Sequence, residues 1–386
     1  MRRTFQSMLR ALPLTVGLLL LGGCPPQPEE NPPPIHVAAG LQAEYVVADA
    51  ASPSVLIAAQ DGRVFYGEKN TGQIRVIKDG VLLEEPFAVV PVNSAGERGL
   101  LGLALHPAFV TNGRIYVFYS RSDTGESTND SQAIVDHRVV YFEPAEKDGD
   151  ISTGTEVFVA SFPTASALTR IGGRIVFAAD RTLLVALGDL EDPASAQDPA
   201  LPLGKILRYR DDGTIPADNP SPDSAVLAAG FCDPRGLTID PESGAPFLTE
   251  RSADSFNEIN RLQSGSDYGW PVVVGFADTP DELAFVDGHP EYGDPLVQSH
   301  SAYAGAAFNP SGKYGPSLRL QLFYGVSGRA QVVSLGLSLE RTASLEGRTF
   351  ASGFPSAVTD VAFTPAGTLY VACTNAVLRI MSLDSP

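Results

Sequence analysis

The run GGRIVFAADRTLLVALGD (172–189) decides the fold of this chain. The residues around Ile175 and Phe177, and then Leu183–Leu187, read as two short strands, with Ala179-Asp180-Arg181 as a tight turn between them. Gly188-Asp189 ends the second strand with residues that tolerate turn geometry. Variations on this unit recur at 55–77, 98–120, 234–262, 305–335 and 358–380, which makes six copies in all. In the first of these, Asp61-Gly62 supplies the hairpin turn between alternating strands. The copies are spaced by roughly forty to seventy residues, the range of a propeller blade plus insertions. The pattern predicts an all-β protein, a six-bladed β-propeller of four-stranded antiparallel blades around a central channel. A β-sandwich needs no such repeated strand–turn–strand signature.

Composition agrees. The chain has 386 residues, 44% of them hydrophobic, ample for a large core. The 37 glycines and 31 prolines imply many turns, and long amphipathic helical stretches are scarce. A net charge of -18 argues against nucleic acid and against holding an anionic membrane by charge; its plain role is solubility.

The N-terminus reads as a targeting segment, outside the fold. Arg2, Arg3 and Arg10 form its positive region, and residues 11–21 form an apolar region too short for a spanning helix. Leu21-Gly22-Gly23-Cys24 resembles a bacterial lipoprotein cleavage site. That resemblance implies a signal peptide over 1–23, lipidation of Cys24, and a stable anchor of several acyl chains. Pro25, in place of an aspartate, points to the outer membrane. Residues 24–39 are then a Pro-rich tether, and 40–386 form the propeller, expected to be a monomer. Cys232 and Cys373 have no metal-ligand spacing, and the exported compartment permits a disulfide between them without fixing their distance.

The longest loops, 123–136, 190–203 and 276–298, are expected to gather at the channel face where ligands bind. GERGLLGLALHPAFVTNGRIYVFYS (96–120), the run 186–220 and NEINRLQSGSDYGWP (257–271) resemble the soluble glucose and sorbosone dehydrogenases, or aldose sugar dehydrogenases. The likeness covers about residues 40–382. It implies a propeller holding pyrroloquinoline quinone (PQQ) at the channel mouth with calcium beside it. A histidine takes the proton of the sugar's anomeric hydroxyl while hydride passes to the quinone.

Several residues break that pattern. The family's histidine stands two residues before the Gly-Gly; here that residue is Arg170, whose guanidinium has no lone pair to serve as a base. Where the family meets the quinone's three carboxylates with cations, this chain has Cys232 and Asp233, then Ala357 and Thr359. Arg329 substitutes for a family lysine only if its loop shifts by one residue. Glu97 aligns with a position near the cofactor, or else forms a salt bridge to a neighbouring loop. The cofactor-facing candidates are therefore Glu97, Asp233, Arg251 and Arg329. For calcium, the family's Gly-Pro carbonyls become those of Ser252 and Ala253, while Glu258 and Tyr268 match positions near a second, structural ion. Both also read as blade-edge packing.

Arg170, Arg235, Arg251 and Arg329 around the mouth either bind carboxylate or sulfate groups bidentately or pair with local acids such as Asp233 and Glu250; the second reading is preferred. His106, in Leu105-His106-Pro107, reads as structural, and His137, His289 and His300 as loop residues, of which His137 or His300 could replace the lost base. The expectation is a lipid-anchored envelope protein, non-catalytic, that binds a small molecule or a protein at the channel mouth. Calcium has a place in it and PQQ does not fit well. The alternative is an active PQQ-dependent aldose dehydrogenase with a rebuilt site.

Overall fold

The computed structural model describes residues 34–253 and 256–383, so the signal segment and Cys24 lie outside the described residues. Six antiparallel sheets follow one another along the chain as blades. Within each blade the first strand is innermost: Pro53–Ala58, Leu100–Leu105, Gly172–Phe177, Asp233–Ile239, Tyr303–Phe308 and Val358–Phe363. The run that opened the sequence reading forms the strands Gly172–Phe177 and Leu183–Leu187 as expected. Arg181 turns the chain between them at φ 70°. Asp180 fixes that turn by accepting the backbone N–H of Thr182 at 3.0 Å and its hydroxyl at 2.6 Å.

The apolar pattern follows from the stacking. The second strands VFYGE (Val64–Glu68), LLVAL (Leu183–Leu187), LFYGV (Leu322–Val326) and LYVAC (Leu369–Cys373) are buried at every position. A strand covered on both faces is apolar throughout, so these runs do not alternate. Six hydrophobic clusters result, each in the interface between two adjacent blades.

The last blade is closed by the beginning of the chain. Leu41–Val47 pairs antiparallel with Ala376–Ser382, from Leu41 opposite Ser382 to Val47 opposite Val377. Residues His36–Val37 add to the edge strand Ser344–Ser352 of the fifth blade.

Each of the six inner strands also carries a register shift near its start: at Pro53/Val55, Leu100/Gly102, Gly172/Arg174, Pro234/Gly236, Tyr303/Ala306 and Val358/Asp360. A bulge re-aims a side chain and bends the strand. Repeated around the ring, these bulges turn Arg174, Arg235, Thr359 and Asp360 into positions that line the channel.

The loop expectations hold in part. The connections 123–133 and 188–204 lie at the end where the inner strands begin, the face of the mouth, but none of 123–136, 190–203 and 276–298 supplies a residue to the mouth cavity, whose rim is made by the inner-strand starts and by short turns at Lys69-Asn70, Ser327 and Thr374. Ile134–Phe142 is a strand, so the first loop is shorter than read. The third contains the helix Pro280–Gly288, which buries no residue and so shows no apolar periodicity. Its start was legible as a capping box, in which Thr279 caps the N–H of Glu282 and Glu282 reaches back. Cys232 and Cys373 are both buried and free.

Candidate functional site at the channel mouth

Two cavities share the channel. The mouth cavity, about 320 Å³, lies where the inner strands begin. The other, about 410 Å³, is lined by the later halves of the same strands. Arg174 lines both, and Asp360 lines the second. Arg174 Nη1 meets Asp360 Oδ2 at 2.7 Å, and its Nη2 donates to the carbonyls of Ser54 at 3.0 Å and Thr359 at 3.2 Å. The Leu56 N–H also reaches Asp360, at 2.8 Å. This ion pair ties the third blade to the first and sixth and forms the floor of the mouth.

On the wall stands a quartet of two acids and two arginines. Arg235 Nη2 lies 2.7 Å from Glu97 and 2.6 Å from Asp233; Arg251 Nη2 lies 2.5 Å from Glu97 and 2.8 Å from Asp233. Burial pushes the Glu97 carboxyl up, but Arg235 and Arg251 beside it bring it down to about 2. Asp233 is fully buried, and that burial holds its carboxyl above the ordinary range despite the two arginines. The preference for local pairing therefore holds for Arg235 and Arg251, with Glu97 and not Glu250 as the second acid. Lys69 completes the cationic lining, its Nζ held by the carbonyls of Ser94 at 3.2 Å and Gly96 at 2.8 Å and by Asn70 Oδ1 at 3.3 Å.

Arg170 does not line the cavity. It adopts φ 56°, and its backbone N–H donates to Glu97 at 2.9 Å. Its Nη1 pairs with the fully buried Asp189 at 3.0 Å. Trp270 Nε1 donates to the same carboxylate oxygen at 2.9 Å, and the Glu191 N–H reaches the other oxygen at 2.9 Å. Burial nevertheless raises the Asp189 carboxyl to about 6, against the pull of Trp270 and Arg170.

Arg329 is not brought to the site. It is exposed at the end of the turn Ser327–Arg329, and Ser327 faces the cavity instead. The histidines are elsewhere too. His137 is fully buried, 2.9 Å from the Ser120 hydroxyl, and burial lowers its ring to about 3. His300 packs on Phe256, with ring centroids 4.7 Å apart, and His289 stacks on Phe285. Neither His137 nor His300 lines the mouth cavity, which corrects their reading as replacement bases. His106 is structural as read: its Nδ1 accepts the Ala108 N–H at 2.9 Å.

The calcium candidates separate. Glu258 lines a small void with Glu250, Ser252 and Tyr268, beneath the quartet. Glu258 accepts the Gly275 N–H at 2.7 Å and Asn260 Nδ2 at 3.0 Å. Burial raises Glu258 to about 7, and burial together with the Glu258 charge raises Glu250 well above the usual carboxylate range. Asn260 Oδ1 is buried without a hydrogen-bond partner. Tyr268 spends its hydroxyl on the Arg261 carbonyl at 2.6 Å, and Ala253 is exposed. Among the described residues no group of three or more His, Cys, Asp or Glu side chains encloses an ion. Glu250 and Asn260 lie on paired strands of the fourth blade, within the stretch the sequence offered for calcium, whereas Asp189 and Trp270 were missed because they stand 81 residues apart and meet only where the third blade packs against the fourth.

The family model of glucose/sorbosone dehydrogenases matches residues 50–381. The chain belongs to that family. The aldose sugar dehydrogenase YliI of Escherichia coli is 28% identical over 322 residues, covering 78% of this chain and 81% of the enzyme. An uncharacterised Synechocystis protein is 34% identical over 251 residues; the match covers 58% of each chain. The mouse Hedgehog-interacting protein is 28% identical over 230 residues, 52% of this chain and 32% of that protein. The PQQ-bound aldose sugar dehydrogenase of Streptomyces coelicolor superposes with a TM-score of 0.71 at 23% identity, covering 89% and 99% of the two chains, and shares the fold. PQQ is thus used by a structural neighbour within this family's fold.

Proposed function

We propose that this family member is a binding protein of the cell envelope and not a sugar dehydrogenase, its ligand site being the channel mouth. One observation carries the reading: Arg170 stands at the base position, locked to Asp189 at 3.0 Å, and nothing lining the mouth replaces it. Glu97 is held near 2 and is too weak a base. Tyr303 is pushed upward by burial, and the Lys69 ammonium is held by acceptors alone.

The quinone fits poorly. Four cations, Lys69, Arg174, Arg235 and Arg251, meet three carboxylates, Glu97, Asp233 and Asp360, which leaves one positive charge for a cofactor that carries three carboxylates. Losing three charge-assisted contacts weakens binding by about a thousandfold or more, at roughly 1.5–3 kcal/mol each. Calcium fits better. Five carboxyl groups (Glu97, Asp189, Asp233, Glu250, Glu258) face three guanidiniums (Arg170, Arg235, Arg251), and the two left without a guanidinium, Glu250 and Glu258, stand beside the unpartnered Asn260 Oδ1. An ion held there would neutralise the buried acids and brace the wall of the mouth. The relative named for binding Hedgehog is consistent with a family that includes binding proteins.

The decisive test mixes protein, calcium and PQQ and follows dye reduction with glucose, other aldoses and sorbosone. We expect no sugar-dependent reduction. Submicromolar PQQ binding with robust turnover would restore the dehydrogenase reading. The anchor is part of the same proposal: Cys24→Ser should move the protein from membranes to soluble fractions, and equal partitioning would refute lipidation at Cys24.

A further inference from the structure

The mouth has a chemistry of its own beyond being a site. Arg251 uses only Nη2 and Arg235 only Nε and Nη2 on Glu97 and Asp233. Arg251 Nε and Nη1 and Arg235 Nη1 have no acceptor among the described residues, and both side chains line the cavity. A guanidinium with spare donors in a partly dehydrated wall binds a carboxylate strongly and with defined geometry.

Three hydroxyls elsewhere in the lining offer the opposite complement. The hydroxyls of Ser54, Ser327 and Thr359 each donate to a backbone carbonyl, at 2.6, 2.8 and 2.8 Å. Each hydroxyl has one proton, so these oxygens retain only acceptor capacity. They can receive hydrogen bonds from ligand hydroxyls and offer nothing to a second anion. Thr374, exposed at the rim, has its hydroxyl free among the described residues.

We infer that the channel mouth binds a small polyhydroxylated monocarboxylate, a sugar acid, with its carboxylate on Arg235 and Arg251 and its hydroxyls on the Ser54, Ser327 and Thr359 oxygens. Three features set that class. The lining's single surplus positive charge, that of Lys69 once the arginines are paired, admits one anionic group beside the spare guanidinium donors. The acceptor-only hydroxyls select donors. The volume, about 320 Å³, lies at the low end of small-molecule pockets and suits a ligand of sugar size. The inference rests on the binding reading of the same site.

Calorimetric titration of the full-length protein with gluconate, glucuronate, glucose and PQQ tests both. Gluconate or glucuronate should bind at least about tenfold more tightly than glucose, the effect of one charge-assisted hydrogen bond. Raising salt should weaken the acids and leave glucose unchanged. Arg251→Gln should cost the acids about tenfold or more. Because that change also unpairs Glu97, Thr374→Glu serves as the second variant: it breaks no contact in the protein and places a negative charge at the rim, so it should weaken the acids alone. Acids that bind no better than glucose, or acid affinities that neither variant moves, overturn the inference. If PQQ binds below micromolar and supports sugar oxidation, the binding reading itself has failed; if neither PQQ nor any acid binds, only the ligand class has.

Discussion

Replacing Arg170 by methionine keeps an unbranched side chain on the left-handed backbone at φ 56° but removes the charge that faces Asp189. The consequence can be worked from the site. Asp189 titrates near 6 in the folded protein against an ordinary 3.8, so its ionised form already costs about 3 kcal/mol at neutral pH, at about 1.4 kcal/mol per tenfold change in proton affinity. Without Arg170 the carboxyl rises further. Breaking a buried pair from one side costs about 3–5 kcal/mol, and the low end applies because Trp270 and Glu191 still donate to Asp189. The sign follows from the raised value. A carboxyl that is harder to ionise when folded favours the folded state while protonated, and that advantage is lost as pH rises through the folded-state pKa. Wild type and Arg170→Met should therefore differ by about 3 kcal/mol at pH 8, and the gap should shrink towards pH 5, where Asp189 is neutral in both. Urea unfolding across that pH range measures it. A constant gap would refute the assignment of the cost to Asp189, and Asp189→Asn should remove most of the gap at every pH.

The remaining predictions concern the frame. Gly305→Ala should destabilise by about 3 kcal/mol or more, because its Cβ would fall within 1.5 Å of Asp360 Oδ1, the acid that anchors Arg174; unfolding midpoints will show it. Truncation through residue 47 removes the strand that closes the last blade and should abolish soluble, folded protein, whereas truncation through residue 33 should not; circular dichroism and gel filtration separate the two. Thr279→Ala should loosen the helix Pro280–Gly288 by about 1 kcal/mol, seen as faster hydrogen exchange there, with the global unfolding midpoint unmoved because the helix buries no residue.

The repeat of strand, turn and strand was legible in the sequence because each blade is built from local hairpins, and hairpin signals are short-range. The buried second strands announced themselves as unbroken apolar runs such as LLVAL (Leu183–Leu187) for the same reason. Sequence also determined the one chemical fact on which the proposed function rests: a guanidinium at Arg170 cannot accept a proton, wherever it points. Which partners each charge found was a different matter. Glu97 lies 154 residues from Arg251, and Arg174 lies 186 from Asp360. No local pattern links such pairs; they meet only when the ring closes and six bulged strands converge on one axis. The same closure decided that Arg329 faces outward, that His137 is buried between strands, and that residues 41–47 complete a blade begun at 358. Blade identity is a property of neighbouring residues, whereas the channel belongs to all the blades at once, so the chain could spell out its fold and the arginine at position 170 while only the tertiary structure could assemble the mouth.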